Sequence, residues 1–274
     1  MALAEGSPGQ TASPDAAGAG PAADIPVVAP DEIPARLTPG SALGVRHPQS
    51  RRLLIAFTGL ARRTGISLPQ LYAYAAPHDL NVIFLADDYS VGYLRGVSCF
   101  GDFEQSIDAL RRLMRRWGIN DLLTFGSSVG GYGAMLYGTH LYARRVLSIA
   151  GMVTLAPEYD TRAVTFGQAE QLYEIAHRRS LDLSQTLAGF RRKPRFDCYY
   201  ATDDENDVRQ AAILATLDNV FLHRLDNGGH AIIATRLEPE GKLGPIMDEF
   251  LAPARGWERL KYRLSLWRAL RKAA

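Results

Sequence analysis

Short apolar runs alternate with stretches of helical spacing along most of the chain, and glycine-rich or acidic turns separate them. Because strands and helices alternate, we expect an α/β fold with a doubly wound, mostly parallel sheet that is covered on both faces, over residues 45–253. Six runs predict buried strands, in the order "RRLLIAF", "NVIFL", "DLLTF", "RVLSIAG", "FDCYYAT" and "NVFLHRL".

The clearest helical pattern lies in "FGDFEQSIDALRRLMRRWGIN". Apolar residues recur there at helical spacing while arginines occupy the opposite face, which is typical of a helix that covers a sheet. The apolar face comprises Phe103, Ile107, Leu110, Leu113 and Met114.

Three segments depart from this rhythm. Residues 1–44 are rich in Ala, Gly and Pro without periodicity, so we expect a disordered tail. Residues 152–194 contain two polar helical patches and no apolar strand, which predicts an insertion that caps the sheet edge. Residues 254–274 predict a basic amphipathic helix.

This last helix carries Leu260, Leu264, Trp267 and Leu270 along one predicted face, with arginines and lysines around it. Such a helix is of the kind that lies on an anionic membrane surface. It equally suits docking on a partner or on its own domain, and the sequence leaves these alternatives open.

Composition narrows the function class. Apolar residues make up 47% of the 274-residue chain, enough for one sizeable core, and the formal charge of +2 gives no general reason to expect nucleic acid. Cys99 and Cys198 have no metal-ligand spacing and suit reduced core thiols, so we expect neither a metal nor another cofactor. No secretory signal or membrane span is evident, which predicts a cytoplasmic protein, with membrane association only through the terminal helix.

The segment "TFGSSVGGYGAM" suggests catalytic chemistry. A predicted strand leads into Gly126, Ser128 and Gly130, the G-x-S-x-G pattern of a nucleophile elbow, and a helix follows. The spacing selects Ser128 over Ser127 as the nucleophile. The alternative interpretation is a glycine-rich turn without chemistry.

A serine nucleophile needs a base, and His230 is the candidate. It lies in "DNGGHAII", between the last predicted strand and the last domain helix, where a loop can bring an imidazole to Ser128. The other five histidines fall in strand, helix, loop or linker segments, which suits structural or surface roles.

The acid comes from "DDEND", which follows the strand "FDCYYAT". Asp203, Asp204 and Asp207 are all available there. Asp204 lies nearer the strand end, while Asp207 is also a good N-cap for the helix that follows. These residues alone leave the choice between Asp204 and Asp207 open.

An oxyanion hole is expected beside the elbow. The residue after the nucleophile, Val129, supplies one amide, and the turn "FTGL" supplies the second from Leu60, with or without Gly59. A plain strand-ending turn is the alternative reading of that segment.

Over residues 50–252 the chain resembles the α/β-hydrolase superfamily. The segments "YLRGV", "FEQSIDALRRLM", "LLTFGSSVGGYGAMLYG" and "GGHAII" look like a bacterial group of small hydrolase-like proteins associated with surface-polysaccharide gene sets. In that group an Asp is followed four residues later by Ala, which Asp207 and Ala211 match, so the resemblance favours Asp207 as the acid.

The resemblance implies an esterase-like or acyl-transfer reaction through Ser128, His230 and Asp207 on a small-molecule or carbohydrate ester or thioester. An acyltransferase and a non-catalytic binding or scaffold protein on the same fold stay open as alternatives. Five aromatic residues are candidates to line the cleft, namely Tyr93, Tyr132, Tyr159, Phe166 and Tyr173.

Overall fold

A computed structural model describes residues 24–88, 91–156, 159, 169–176 and 179–272. One seven-stranded sheet forms its centre, in the order β1-β3-β2-β4-β5-β6-β7, with β1 antiparallel to β3 and every other pair parallel. The strands are β1 Ala42–Val45, β2 Arg52–Phe57, β3 Asn81–Leu85, β4 Asp121–Ser127, β5 Arg145–Ile149, β6 Arg195–Ala201 and β7 Val220–Leu225. The doubly wound, mostly parallel sheet is therefore confirmed.

Helices cover both faces of this sheet. Short 3-10 turns lie at Pro30–Glu32, Leu60–Arg62 and Ala76–His78, and a π-helical turn lies at Ile233–Leu237. The α-helices described are α1 Ile33–Arg36, α2 Leu68–Ala75, α3 Phe103–Arg116, α4 Val129–His140, α5 Ala169–Ala176, α6 Leu183–Ala188, α7 Glu205–Leu214, α8 Leu243–Leu251 and α9 Gly256–Lys272.

Each face of the sheet has its own hydrophobic core. Along β2, Leu53, Ile55 and Phe57 point into the cluster on one face, while Leu54 and Ala56 point into the cluster on the other. Both sets of side chains are fully buried, which explains why the sequence of β2 is a continuous apolar run and does not alternate between apolar and polar residues.

The N-terminal boundary differs from the sequence prediction. Residues 24–44 are packed on the domain instead of forming a tail: Ile25, Val28, Ile33 and Leu37 are buried, and β1 begins at Ala42. These apolar side chains stand singly among Pro and Ala, without the spacing of a strand or helix, and only tertiary contacts order them. Residues 1–23 lie outside the described residues.

The predicted insertion contributes α5 and α6 between β5 and β6. Leu172, Ile175, Leu183 and Leu187 bury their side chains in the core beside α4. Residues 157–158 and 160–168, on which a cap over the site would depend, lie outside the described residues. The capping role therefore stays a prediction.

The C-terminal helix α9 docks on its own domain, but not through the face expected from the sequence. Tyr262, Leu266 and Leu270 are buried, whereas Leu260, Leu264 and Trp267 remain exposed. Of the four residues of the predicted apolar face, only Leu270 is buried, because a second apolar side that contains Tyr262 and Leu266 makes the contact with the domain. Among the residues that the structure describes, no helix has the length and apolar character needed to cross a membrane.

A buried ionic cluster ties the start of β4 to the segment that precedes α9. Asp121 accepts hydrogen bonds from Arg52 (Nε, 3.1 Å) and Arg144 (Nε, 2.7 Å; Nη2, 3.2 Å). The same two guanidinium groups also donate to the carbonyl oxygens of Leu251 and Ala252, at the end of α8. One carboxylate thus holds two arginines that fix the end of the domain.

Replacement of Asp121 by Ala leaves these two arginines without their common buried acceptor. We expect the free energy of unfolding to fall by about 3 kcal/mol in urea denaturation. Asp108→Ala removes a half-exposed ion pair with Arg111 and is the matched control, with an expected loss below ~1 kcal/mol. Equal losses in the two variants would show that the cluster does not stabilise the domain.

Candidate active site

Ser128 lies on a sharp turn between β4 and α4. Its backbone has φ 53° and ψ −130°, a conformation that non-glycine residues rarely adopt. The Ser128 carbonyl accepts hydrogen bonds from the amides of Gly131 and Met152, at 2.9 and 3.1 Å. The turn is therefore held in a strained geometry by its surroundings, as expected of a nucleophile elbow.

Close backbone packing explains two of the glycines around Ser128. A Cβ atom on Gly126 would lie 2.1 Å from the Gly130 carbonyl oxygen, and one on Gly130 would lie 2.3 Å from the Phe57 carbonyl oxygen. Neither site has room for a side chain. The glycines thus let α4 start directly against the ends of β2 and β4.

The structure brings Ser128, His230 and Asp207 together in one chain of hydrogen bonds. The Ser128 hydroxyl donates to His230 Nε2 over 2.8 Å, and His230 Nδ1 donates to Asp207 Oδ1 over 2.7 Å. The Asp207 side chain is only 2% exposed, while that of His230 is 26% exposed. Ser127, by contrast, is a buried residue of β4, in register with Ile149.

The three candidate aspartates have different partners. Asp204 is the N-cap of α7 and accepts a hydrogen bond from the Asp207 amide at 2.9 Å, so the cap that the sequence suggested for Asp207 is Asp204 instead. Asp207, in the first turn of α7, contacts the imidazole. Asp203 accepts hydrogen bonds from the amides of Gly228 and Gly229, at 3.0 and 3.2 Å.

Sequence reasoning missed the part played by Asp203. Its carboxylate fixes the backbone of the loop that presents His230, and Asn227, Gly228 and Gly229 all have positive φ there. Thr235 Oγ1 adds a hydrogen bond to the Gly228 carbonyl at 2.8 Å. Asp203, Asp204 and Asp207 all lie in one short segment, so the sequence could not show that Asp203 supports the loop rather than acting as the catalytic acid.

Asp204, Asp207 and His230 also offer ligand atoms within 4.8 Å of one another. Their bonding does not suit a metal, because Asp204 caps a helix while His230 uses Nδ1 for Asp207 and Nε2 for Ser128. The donor set fits a proton relay better than a cation site.

The turn after β2 lies against the elbow. An added Cβ on Gly59 would meet the Ser127 carbonyl oxygen at 3.3 Å and a methyl carbon of Val129 at 3.7 Å. Leu60 and Val129 each hold the first position of a helical segment, where the amide has no acceptor within its own helix. The Gly59 amide already donates to the Arg63 carbonyl at 2.8 Å, which leaves Leu60 as the better second donor.

Tyr93 anchors the turn after β2 through a hydrogen bond to the carbonyl of Thr58. No sequence pattern indicated this role. The Tyr93 hydroxyl lies 2.8 Å from the carbonyl oxygens of both Thr58 and Leu85. Complete burial, aided by the charge of Asp87, raises the pKa of Tyr93 well above its usual value. The phenol therefore stays protonated and can keep donating to these carbonyls.

The candidate cleft aromatics are scattered. Tyr93 and Tyr132 are fully buried in the core, so their predicted place in a cleft was wrong. Tyr159 donates to the Arg209 carbonyl at 3.2 Å, and Tyr173 is exposed on α5. Phe166 lies outside the described residues.

Comparison with solved structures identifies the fold. A 2,6-dihydroxy-pseudo-oxynicotine hydrolase matches with a TM-score of 0.54 and 16% identity, over 75% of this chain and 64% of that one. The esterase Est2 of Thermogutta terrifontis gives 0.51 and 15%, over 75% and 82%, and esterase B of Lactobacillus rhamnosis gives 0.50 and 15%, over 82% and 78%. The chain has the α/β-hydrolase fold. No protein-family model and no curated protein matches the sequence.

Within this α/β-hydrolase fold, the tight packing at the elbow predicts that adding one methyl group at Gly126 greatly lowers the stability of the protein. Gly126→Ala is expected to lower the free energy of unfolding by about 2 kcal/mol or more, because the start of α4 must move away from β4. Thermal and urea denaturation measure the loss. Gly244→Ala, in α8, meets only Tyr74 at 3.7 Å and should leave stability unchanged or raise it by up to about 1 kcal/mol. A Gly126→Ala protein as stable as the parent would contradict this account of the elbow.

Proposed function

We propose that the protein is a serine hydrolase that cleaves a carboxylic ester or thioester through Ser128, His230 and Asp207. The observation that carries the proposal is the continuous chain of two short hydrogen bonds, 2.8 and 2.7 Å, that ends on a hydroxyl at a strained elbow. Ser128 and His230 are partly exposed while Asp207 is buried, the arrangement in which a substrate reaches the nucleophile but not the acid.

In the proposed reaction the Ser128 hydroxyl attacks the carbonyl carbon as its proton passes to His230 Nε2. Asp207 holds the proton on Nδ1 and stabilises the imidazolium that forms. The amides of Val129 and Leu60 donate to the tetrahedral oxyanion, and the N-terminus of α4 adds a favourable field.

The tetrahedral intermediate then collapses. The bond to the alcohol or thiol leaving group breaks, His230 gives that group its proton, and the acyl group stays on Ser128 as an ester. Water attacks the acyl carbon as His230 takes one of its protons. The bond between the acyl carbon and Ser128 Oγ then breaks, and His230 returns the proton to Oγ, which releases the carboxylic acid and restores the hydroxyl.

The proposed substrate class, a carboxylic ester or thioester, rests on the chemistry of Ser128, His230 and Asp207 and not on the shape of a binding pocket. Two of the compared structures are esterases, which supports an acyl ester as the first substrate to test. An acyltransferase would use the same acyl-enzyme with a carbohydrate hydroxyl in place of water, and the resemblance to polysaccharide-associated proteins supports that second candidate. A non-catalytic scaffold would not need the aligned imidazole.

Covalent labelling tests the nucleophile. A fluorophosphonate probe is expected to add once to the parent protein and not to Ser128→Ala, because only a hydroxyl activated by His230 attacks the phosphorus at a useful rate. Intact-mass spectrometry gives the stoichiometry, and Ser127→Ala is the matched control that should label normally. Label retained in Ser128→Ala, or no label on folded parent protein, would refute the proposed nucleophile.

Two asparagine substitutions separate the neighbouring aspartates. Asp207→Asn should lower kcat for a p-nitrophenyl ester by about 10⁴-fold, since the amide cannot hold the imidazole in the productive tautomer. Asp204→Asn keeps the helix cap, because Asn caps as well as Asp, and should change kcat by less than about threefold. A larger effect at Asp204 than at Asp207 would reverse the assignment of the acid.

A further inference from the structure

Four large apolar side chains of α9 stay exposed although the helix is docked. Trp257, Leu260, Leu264 and Trp267 are between 47% and 66% exposed. Their spacing of three, four and three residues places them on one side of the helix, and we refer to these four residues as the apolar stripe. Exposed Trp and Leu in a continuous row are unusual on a protein surface and indicate contact with another phase or molecule.

The opposite side of α9 fixes the direction in which the stripe faces. Tyr262, Leu266 and Leu270 are buried in the core. The Tyr262 hydroxyl accepts from the Leu122 amide at 3.2 Å and donates to the Tyr142 carbonyl at 3.0 Å. The stripe therefore cannot turn inward without loss of these contacts.

Charge on α9 is strongly one-sided. The helix contains six basic residues and one acidic residue, Glu258. The whole chain has 31 basic and 29 acidic residues, so the remainder holds 25 basic against 28 acidic residues. A single terminal helix thus carries positive charge on a domain that is otherwise slightly negative.

The stripe borders a groove between α9 and the end of α3. The groove has a volume of about 650 Å³, and four arginines line it together with Leu260, Leu264 and Trp267. Those arginines are Arg51, Arg115, Arg263 and Arg271. The Arg271 guanidinium lies 4.1 Å from the centre of the Trp267 ring, so a positive charge and an exposed aromatic ring lie side by side on this surface.

We propose that α9 binds the surface of an anionic membrane, with the apolar stripe inserted between headgroups and the basic side chains on lipid phosphates. A bilayer interface favours tryptophan beside lysine and arginine, because the ring occupies the headgroup boundary while the charges reach anionic groups. Charge complementarity selects an anionic surface over a neutral one.

Such binding fixes how the enzyme faces the bilayer. Tyr262 contacts β4 at Leu122, near the start of the strand, whereas Ser128 follows the other end. Six residues of strand separate these points by about 20 Å. If Ser128 is the nucleophile, as proposed above, the catalytic edge faces away from the bilayer and takes its substrate from the aqueous side.

Sedimentation of the full-length protein with vesicles tests the proposal. Binding to phosphatidylcholine vesicles with about 30% phosphatidylglycerol should be about tenfold or more tighter than to pure phosphatidylcholine. It should weaken by at least about fivefold between about 0.1 M and about 0.5 M NaCl, since salt screens charges at the surface. Tryptophan emission should shift to shorter wavelength on binding, because two of the three tryptophans lie on the stripe.

Substitutions on and off the helix give matched controls. Trp257→Ser with Leu264→Ser should weaken vesicle binding by about tenfold or more, while Phe221→Ser with Val27→Ser, also at exposed apolar sites, should leave it unchanged. Lys261→Gln with Arg268→Gln should remove most of the preference for anionic vesicles, whereas Arg191→Gln with Arg224→Gln should not. Ester hydrolysis in solution should be equal in all four variants, which separates this proposal from the proposed reaction.

Three results would overturn the proposal. One is equal binding to neutral and anionic vesicles, and another is binding that the stripe variants retain. The third is absence of vesicle binding together with a concentration-dependent dimer that Trp257→Ser with Leu264→Ser dissociates, which would make the stripe a contact between two copies of the chain.

Discussion

Contact between main-chain atoms at the end of β4 is the constraint on which the rest of the site depends. With glycine at 126 and 130, the first turn of α4 lies directly on the carbonyl groups of the strands, and Ser128 is forced to a positive φ. That strain costs on the order of 1–3 kcal/mol, and the buried sheet on both sides maintains it. This geometry places the Ser128 hydroxyl at the N-terminus of α4, beyond the end of the sheet, where it lies 2.8 Å from His230 Nε2.

The supporting residues form an organised shell around this turn. Tyr93 holds the carbonyl of Thr58 beneath the turn that carries Leu60, and Asp203 holds two amides of the loop that carries His230. Asp204 caps α7 and so orients Asp207 one turn further on. Each of these contacts fixes a backbone segment rather than touching a reacting atom, which keeps three loops from different strands in register.

The two ends of the parallel strands carry different features of the protein. The carboxyl ends of the strands carry the candidate active site, as is general for parallel α/β sheets. The amino ends carry Asp121 with Arg52 and Arg144, and beside them the docked face of α9. The buried ionic cluster therefore stabilises the edge from which the basic helix projects, at a distance from the elbow.

Local patterns sufficed for the strands β2 to β7, the helix α3 and the elbow, because each has a period or a motif that tertiary contacts reinforce. The strand β1 was missed, since four residues in an Ala- and Pro-rich segment have no period of their own and gain order only from pairing with β3. The spacing of Asp204 and Asp207 alone could not show which of them caps α7 and which contacts His230, because that depends on the residue at which the helix starts. Likewise the two apolar sides of α9 could be separated only once Tyr262 and Leu266 were seen in the core.

In the proposed reaction Ser128 forms a covalent acyl-enzyme once His230 has taken its proton. The most direct measurement is acid-quenched mass spectrometry of the protein, mixed with a p-nitrophenyl ester, followed by peptide mapping. We expect a transient mass increase of one acyl group on the peptide that contains Ser128, and no such increase in His230→Ala. Steady turnover of the ester without any acyl adduct, or an adduct on another residue, would contradict it.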